Sequence, residues 1–311
     1  LEYTRDTKEL IMILLTWSLA STNNIYRESA IRTMVRLMQD DLSIAVEMIK
    51  KFKFVDDGYV KEGLYCSIYG AVLRSRSFSG GEELMVEVFN DIFNDDEIYP
   101  HVIVRAHAKG IIDYLRKSNI EYSFDIEKTV PPYKSKWYKH IPTQEEIDNY
   151  RIDYKDENFQ PYMYSLNNII DSMATNTGEK SSMYGDFGRY IFEGWVEPWE
   201  YHFIPQDLSN IVTKEIIESL GYDYKLHGKF DNRVKSYDRH SHKNERIGKK
   251  YQRIASFEMI ARLSDNFPPG ITNYEYSDNY INWSSKKLEA ILKADITSDE
   301  WLDFQGEEFI G

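Results

Sequence analysis

Cysteine is nearly absent. A single residue, Cys66, stands in 311, so no internal disulfide can form. A reducing compartment, and with it a cytoplasmic location, is the expectation. Glycine and proline are scarce, at 16 and 9 residues, which excludes collagen-like and low-complexity architectures. Long apolar runs are missing as well. The longest, Leu10 to Ala20, has eleven residues and contains Thr16 and Ser18, whereas a helix that crosses a bilayer needs about 20. It has no flanks of a signal peptide and reads as a buried helix. Positive charge is in deficit: 38 Lys and Arg face 51 Asp and Glu, a net charge of −13. An acidic chain is pushed away from nucleic acid and anionic membrane at long range, although a local basic site is compatible with it. The chain opens on Leu1 without Met, which fits an excised or processed piece of a longer protein.

What is present is a globular composition, 42% hydrophobic and 29% charged, in a length that suggests about two domains. Residues 6–117 read as helix after helix. Asn23 or Asn24 can cap a helix with Ile31, Met34, Val35 and Met38 on one face. Leu42, Ala45, Val46 and Ile49 mark a short second helix. Asp56-Asp57 opens the strongest pattern, Val60, Leu64, Ile68 and Val72, the i, i+4 stripe of a helix with a broad buried face. Cys66 lies inside it and reads as a core thiol. Ser79-Gly80-Gly81 breaks the pattern, Leu84, Met85, Val88, Phe89 and Ile92 form the next helix, and Pro100 starts another. Helical pairs begin near residues 24, 58 and 100, a spacing that overlaps tetratricopeptide and HEAT-like periods. The reading is mainly α: an irregular α-solenoid of HEAT/TPR-like hairpins over 1–117, with an ordinary helical bundle as the alternative.

Residues 118–164 hold four of the nine prolines and seven tyrosines. They read as an ordered Pro/Tyr-rich connection, bounded at 118–162, that wraps over helices. A mainly helical domain follows over 163–311, with helices near 163–173, 184–195, 206–220, 246–265 and 285–294. Gly221 stops the third and Pro268-Pro269-Gly270 the fourth. Arg151 to Tyr154 and Tyr274 to Ile281 are the short strand candidates.

Chemical motifs are weak. Gly185-Asp186-Phe187-Gly188 has the letters of a kinase metal-binding loop, but the Gly-rich loop, strand lysine and catalytic-loop residues are absent in the required order. Gly178-Glu179-Lys180-Ser181 resembles the end of a P-loop, yet Met173 stands where the first glycine belongs. His240 and His242, with His227 and Asp238, fall short of a zinc ligand pattern. Glu193 and Glu197, flanked by Trp195 and Trp199, are four apart on one helix face; a glycosidase-like site would need two such acids in a cleft. The expectation is therefore no catalytic residue, no metal and no cofactor.

The sharper feature is charge. Residues 225–253 carry ten Lys or Arg (Lys225, Lys229, Arg233, Lys235, Arg239, Lys243, Arg246, Lys249, Lys250 and Arg253) against Asp231, Asp238 and Glu245. This segment binds phosphates, or pairs with the acidic remainder of its own chain, or with an acidic partner. Arg246, Lys249, Lys250 and Arg253, with Trp195 and Trp199, are the candidate partner-binding residues. Within 246–263, Ile247, Tyr251, Ile254 and Ile260 share an inward stripe, and Lys249, Lys250 and Arg253 point to acidic neighbours or solvent.

Two blocks carry a family likeness. One runs from Tyr26 to about Arg116 and includes Tyr59-Val60-Lys61-Glu62-Gly63-Leu64-Tyr65, Tyr69-Gly70-Ala71-Val72-Leu73-Arg74-Ser75, Pro100-His101-Val102-Ile103-Val104-Arg105 and Ala108-Lys109-Gly110-Ile111-Ile112-Asp113-Tyr114. The other contains Tyr184-Gly185-Asp186-Phe187-Gly188-Arg189-Tyr190, Glu245-Arg246-Ile247-Gly248-Lys249-Lys250-Tyr251-Gln252 and Ile260-Ala261-Arg262-Leu263-Ser264-Asp265-Asn266. Over about half the chain this resembles the C-terminal part of large bacterial antiviral STAND (Avs-like) NTPases. The resemblance implies a helical-repeat sensor that binds a phage protein, such as the terminase large subunit or the portal. Binding would drive oligomerisation of an upstream NTPase and activate an effector. Walker and nuclease motifs are lacking here and would lie before Leu1. Competing readings are a nucleic-acid-binding module through 225–253 and a hydrolase at the Glu193 region.

Overall fold

The computed structural model describes residues 4–175, 185–234 and 244–269. These residues are mainly helical. The helices are α1 (Arg5–Ser18), α2 (Asn24–Met38), α3 (Ser43–Phe52), α4 (Gly58–Arg74), α5 (Gly81–Ile92), α6 (Val102–Lys117), α7 (Gln144–Asp148), α8 (Tyr164–Met173), α9 (Glu193–Val196), α10 (Pro205–Lys214), α11 (Tyr224–Val234) and α12 (Ile247–Asn266). Single π-helical turns precede α9 (Gly188–Phe192) and follow α10 (Glu215–Ser219). Among the described residues the sole β pairing is an isolated antiparallel bridge between Asn23 and Asn244. Arg151 to Tyr154 forms no strand: it is held by side chains instead, the Asn167 amide bonding both the N–H and the C=O of Ile152 at 2.8 and 2.9 Å. The expected strand at 274–281 and helix at 285–294 lie outside the described residues.

Local chemistry starts the helices. The Asn23 side chain accepts from Tyr26 N at 3.0 Å, and Asp57 accepts from Tyr59 N at 2.9 Å, the side-chain capping that leads α2 and α4 out of extended backbone. α6 begins two residues after Pro100, because His101 takes the cap position and its Nδ1 faces Val104 N. Gly221 adopts a left-handed φ of 71° just past the π-helical turn, as its position after a helix end predicts.

α1–α2, α3–α4 and α5–α6 pair as hairpins. α1, α3 and α5 pack side by side in one layer, and α2, α4 and α6 in the other. One continuous core, including Met34, Met38, Leu64, Ile68, Val88 and Ile112, fills the space between. α1 departs from the expected buried helix. Met12 and Thr16 are buried, but Leu10, Leu14 and Trp17 are 64%, 69% and 57% exposed. Trp17 meets the Phe52 ring of α3 edge-on, with ring centres 5.2 Å apart.

Residues 118–160 cross from this stack to the second half. Phe124 stacks on Phe89 at 4.3 Å, Tyr133 meets Phe93 at 5.6 Å, and Trp137 sits among Tyr138, Phe203 and Phe267. Ile147 of α7 enters the second core, built from α8, α10, α12 and the turns around α9. α11 was not anticipated from the sequence, since its polar composition (Leu226, Phe230 and Val234 are its spaced apolar residues) hides the helical period. α12 is the shared element: it packs on α8, α10 and α11 on one side and on α4 and α6 on the other.

Candidate functional site

The seam between α12 and the hairpin stack gathers most of the singled-out charges. Glu245, just ahead of α12, is its hub. Its N–H donates to Thr22 O at 2.8 Å, extending the Asn23–Asn244 bridge. Its carboxylate accepts from Tyr59 OH at 2.8 Å, and Arg27 and Arg253 approach at 3.7 and 3.6 Å. One turn on, Lys250 Nζ donates to Asp57 Oδ2 at 2.6 Å and to Ala20 O at 3.2 Å, and lies 5.3 Å from the centre of the Tyr59 ring. The ammonium is thus paired, hydrogen-bonded and set over an aromatic face, which a buried charge requires. At the far end Arg105 of α6 grips Asp265 through two bonds of 2.9 Å and donates to Tyr99 O and Ile98 O, the planar fork geometry for which Arg is suited.

The candidate partner-binding residues divide by burial. Lys250 and Trp199 are 5% and 6% exposed, so both leave the partner surface expected from sequence. Lys250 is spent on Asp57, and Trp199 Nε1 donates to Phe267 O at 2.9 Å within the second core. Trp195 is half-buried, stacked on Phe257 at 5.3 Å and edge-on to Phe187. Arg253 is half-buried against Glu245. Arg246 and Lys249 stay partly open and make no ion pair among the described residues. Lys225, Lys229 and Arg233 are exposed on α11. The expected inward stripe divides: Ile254 is buried against Gly58 of α4, and Ile247, Tyr251 and Ile260 are half-buried against the second core. Lys235, Arg239 and Lys243 lie outside the described residues, as do Asp238, His240 and His242.

Among the described residues, Cys66, Asp186 and His227 are taken up by the packing around them. The Cys66 thiol is pushed up to about 12 by burial, far from a reactive thiolate. Asp186 accepts from Ser172 Oγ at 2.5 Å and Phe187 is core, so the Gly185–Gly188 turn serves to seat the chain on α8. His227 packs its ring on Tyr222 and Tyr251. Among the described residues no group of three His, Cys, Asp or Glu side chains converges on a metal position. Glu62 and His101 do face each other at 3.8 Å, too far for a hydrogen bond. Burial raises the Glu62 carboxyl to about 7 and lowers the His101 imidazole to about 3, so each favours its uncharged form.

Sequence reasoning missed Glu245, Asp231, Tyr59, Arg27, Arg105 and Asp265. A signal existed for two of them. Asp231 and Glu245, rare acids in a basic segment, are buried at 4% and 8% exposure. Asp231 accepts from Ile247 N at 2.6 Å, Gly248 N at 2.9 Å and Tyr222 OH at 2.9 Å, closing the start of α12. No family model, no curated protein and no solved structure matches the chain.

Proposed function

We propose that the chain is a protein-interaction module, the sensor part of a larger bacterial antiphage STAND-type NTPase, and that it recognises a phage protein such as the terminase large subunit or the portal. The observation that carries this reading is the pairing of stacked helical hairpins with large apolar residues of α1 that stay more than half exposed. Leu10, Leu14 and Trp17 repeat at helical spacing on α1, and Tyr26 of α2 reaches the same end through a 3.1 Å contact with Ser18. Stacked hairpins offer extended surfaces, and a tryptophan set among leucines is a common interface anchor. No helix among the described residues is long and apolar enough to cross a membrane.

Calorimetric titration of the chain with purified terminase large subunit and with purified portal tests the reading. Saturable binding to one of them, lost in the Leu10→Ser, Leu14→Ser, Trp17→Ser triple variant, is the expected result. A folded chain that binds neither overturns it. Under this reading the chain itself neither hydrolyses ATP nor holds a nucleotide tightly. Saturable micromolar binding of labelled ATP would count against that part.

A nucleic-acid role is the second reading, supported by Lys225, Lys229 and Arg233, which recur every four residues and are exposed on α11. Its mark is DNA binding that weakens steeply with salt and vanishes when the three are reversed to Glu.

A further inference from the structure

α2, α4 and α6 form one layer, and its outer side carries a basic strip. Ala30, Met34 and Met38 turn one face of α2 into the core, so Arg32 and Arg36, one turn apart, lie on the opposite face. Val35 packs beside them on Gly70 of α4, whose absent Cβ position lies 2.9 Å from Val35 Cγ2. A furrow runs between the two helices. Arg74, in the last turn of α4, stands at its far end and donates from Nε to Gln39 Oε1 at 3.1 Å. Half-buried Cys66 and Tyr69 add apolar surface along α4. Glu28 is an acid on the same face, and Asp40 and Arg76 follow the helix ends with one charge of each sign. The strip stays net positive in a chain of net charge −13.

The chain holds a segment of matching chemistry. Residues 295–311 carry Asp295, Asp299, Glu300, Asp303, Glu307 and Glu308 and no Lys or Arg. Trp301, Leu302 and Phe304 are interspersed with the central acids. Carboxylates meet guanidinium groups in charge-assisted planar pairs, and an indole stacks on the same groups. Reach allows the encounter. α12 runs past the starts of α2, α4 and α6, from Asn244 beside Asn23 to Asp265 on Arg105. Its 20 residues make about 30 Å, and Arg32 and Arg36 lie about 12 to 18 Å along α2, so the last described residues stand roughly 35 Å from the strip. The residues 270–294 between span about 38 Å even as a helix and up to about 85 Å when extended.

We propose that the basic strip of α2 and α4 docks the acidic, aromatic segment 295–311 of its own chain. The strip and α1 belong to different layers, so the proposal is independent of the partner-binding reading. Electron–electron double resonance on the full chain tests it, with spin labels at Ser29→Cys, exposed on α2, and Thr297→Cys in a Cys66→Ser background. A short, narrow label-to-label distance is expected, and Arg32→Glu with Arg36→Glu should abolish it. Adding Asp299→Arg and Glu300→Arg to that variant should restore it, which a merely structural effect of the reversal would not do. Should the reversal on α2 disturb folding by circular dichroism, Asp299→Arg with Glu300→Arg alone carries the test and should likewise abolish the short distance. A broad or long distribution in the parent, or a short distance that either reversal leaves in place, overturns the proposal. So does a short distance that disappears on dilution with unlabelled chain, which marks docking onto a second copy.

Discussion

Neighbouring lysines in α12 have opposite fates, and the difference lies in what each meets. Lys249 reaches the rim of a notch, whereas Lys250 is buried on Asp57. Reversing Lys250 to Glu sets two carboxylates together out of water and should cost about 3–5 kcal/mol. Lys249→Glu should stay within about 0.5 kcal/mol of the parent. Denaturant melts of the two variants make the comparison, and equal midpoints would show that the Lys250–Asp57 pair contributes nothing. Glu62 gives a residue-level prediction in pH. Its carboxyl moves from 4.5 to about 7 on folding, mainly through burial, with Glu245 adding to the rise while Arg253 and Arg27 oppose it. The native state therefore holds this proton more tightly than the unfolded state. The contribution is fully present below about pH 4.5 and is lost as pH rises through 7. His101 works in the opposite sense: its contribution is complete above 6.5 and is lost as pH falls toward 3. Glu62→Gln should match the parent in acid and become progressively more stable than it between pH 5 and 8. Parallel stability profiles across that range would refute the perturbed carboxyl.

At the scale of elements, α12 sits between two cores and has little freedom to move. Ile254 fits against Gly58 so closely that a Cβ on that glycine would stand 2.9 Å from Ile254 Cγ2. Gly248 is tighter still, its absent Cβ position lying 2.6 Å from Ile169 Cδ1. Truncating Ile254 to Ala should cost about 2–5 kcal/mol, because a rigid groove cannot collapse around the void. Gly248→Ala should also destabilise, by driving α8 and α12 apart. Thermal or denaturant unfolding measures both; an Ile254→Ala chain that melts like the parent would place α12 outside the core. These contacts explain why polar groups such as Lys250, Gln252 and Ser256 are buried on α12 beside its apolar stripe. A helix flanked on both sides has few solvent-facing positions left.

For the whole molecule, the hairpin stack and the second half are tied at both ends of α12. Glu245 and Lys250 hold one end to Tyr59 and Asp57, and Arg105 with Asp265 holds the other. α4 and α12 should therefore open as one unit. Hydrogen exchange followed by mass spectrometry should find their amides protected to a similar free energy. Arg105→Ala leaves Asp265 buried without its partner, should cost about 3–5 kcal/mol, and should let α12 exchange ahead of α4. If α12 already exchanges well before α4 in the parent, the seam does not couple the halves.

The order of helices was legible in the sequence because helix formation is local. Apolar spacing declares one face, and Asn23, Asp57 and Gly221 mark ends within a few residues of the groups they bond. α11 is harder to read because charged and polar residues dominate its composition, although Asp223 caps its start by accepting from Lys225 N at 2.8 Å. The roles of the charges were beyond local reading. Lys250 meets Asp57 across 193 positions, Tyr59 meets Glu245 across 186, and Arg105 meets Asp265 across 160. No spacing rule links residues so far apart, and a cation has the same side chain whether it ends in water or on a carboxylate. Packing of α12 between the two halves selected which charges are buried. It left Arg246 and Lys249 at an open notch, and it turned Leu10, Leu14 and Trp17 of an apolar run outward. The sequence by itself determined where helices form; the tertiary structure decided which of their faces remain available, because burial depends on what a face meets.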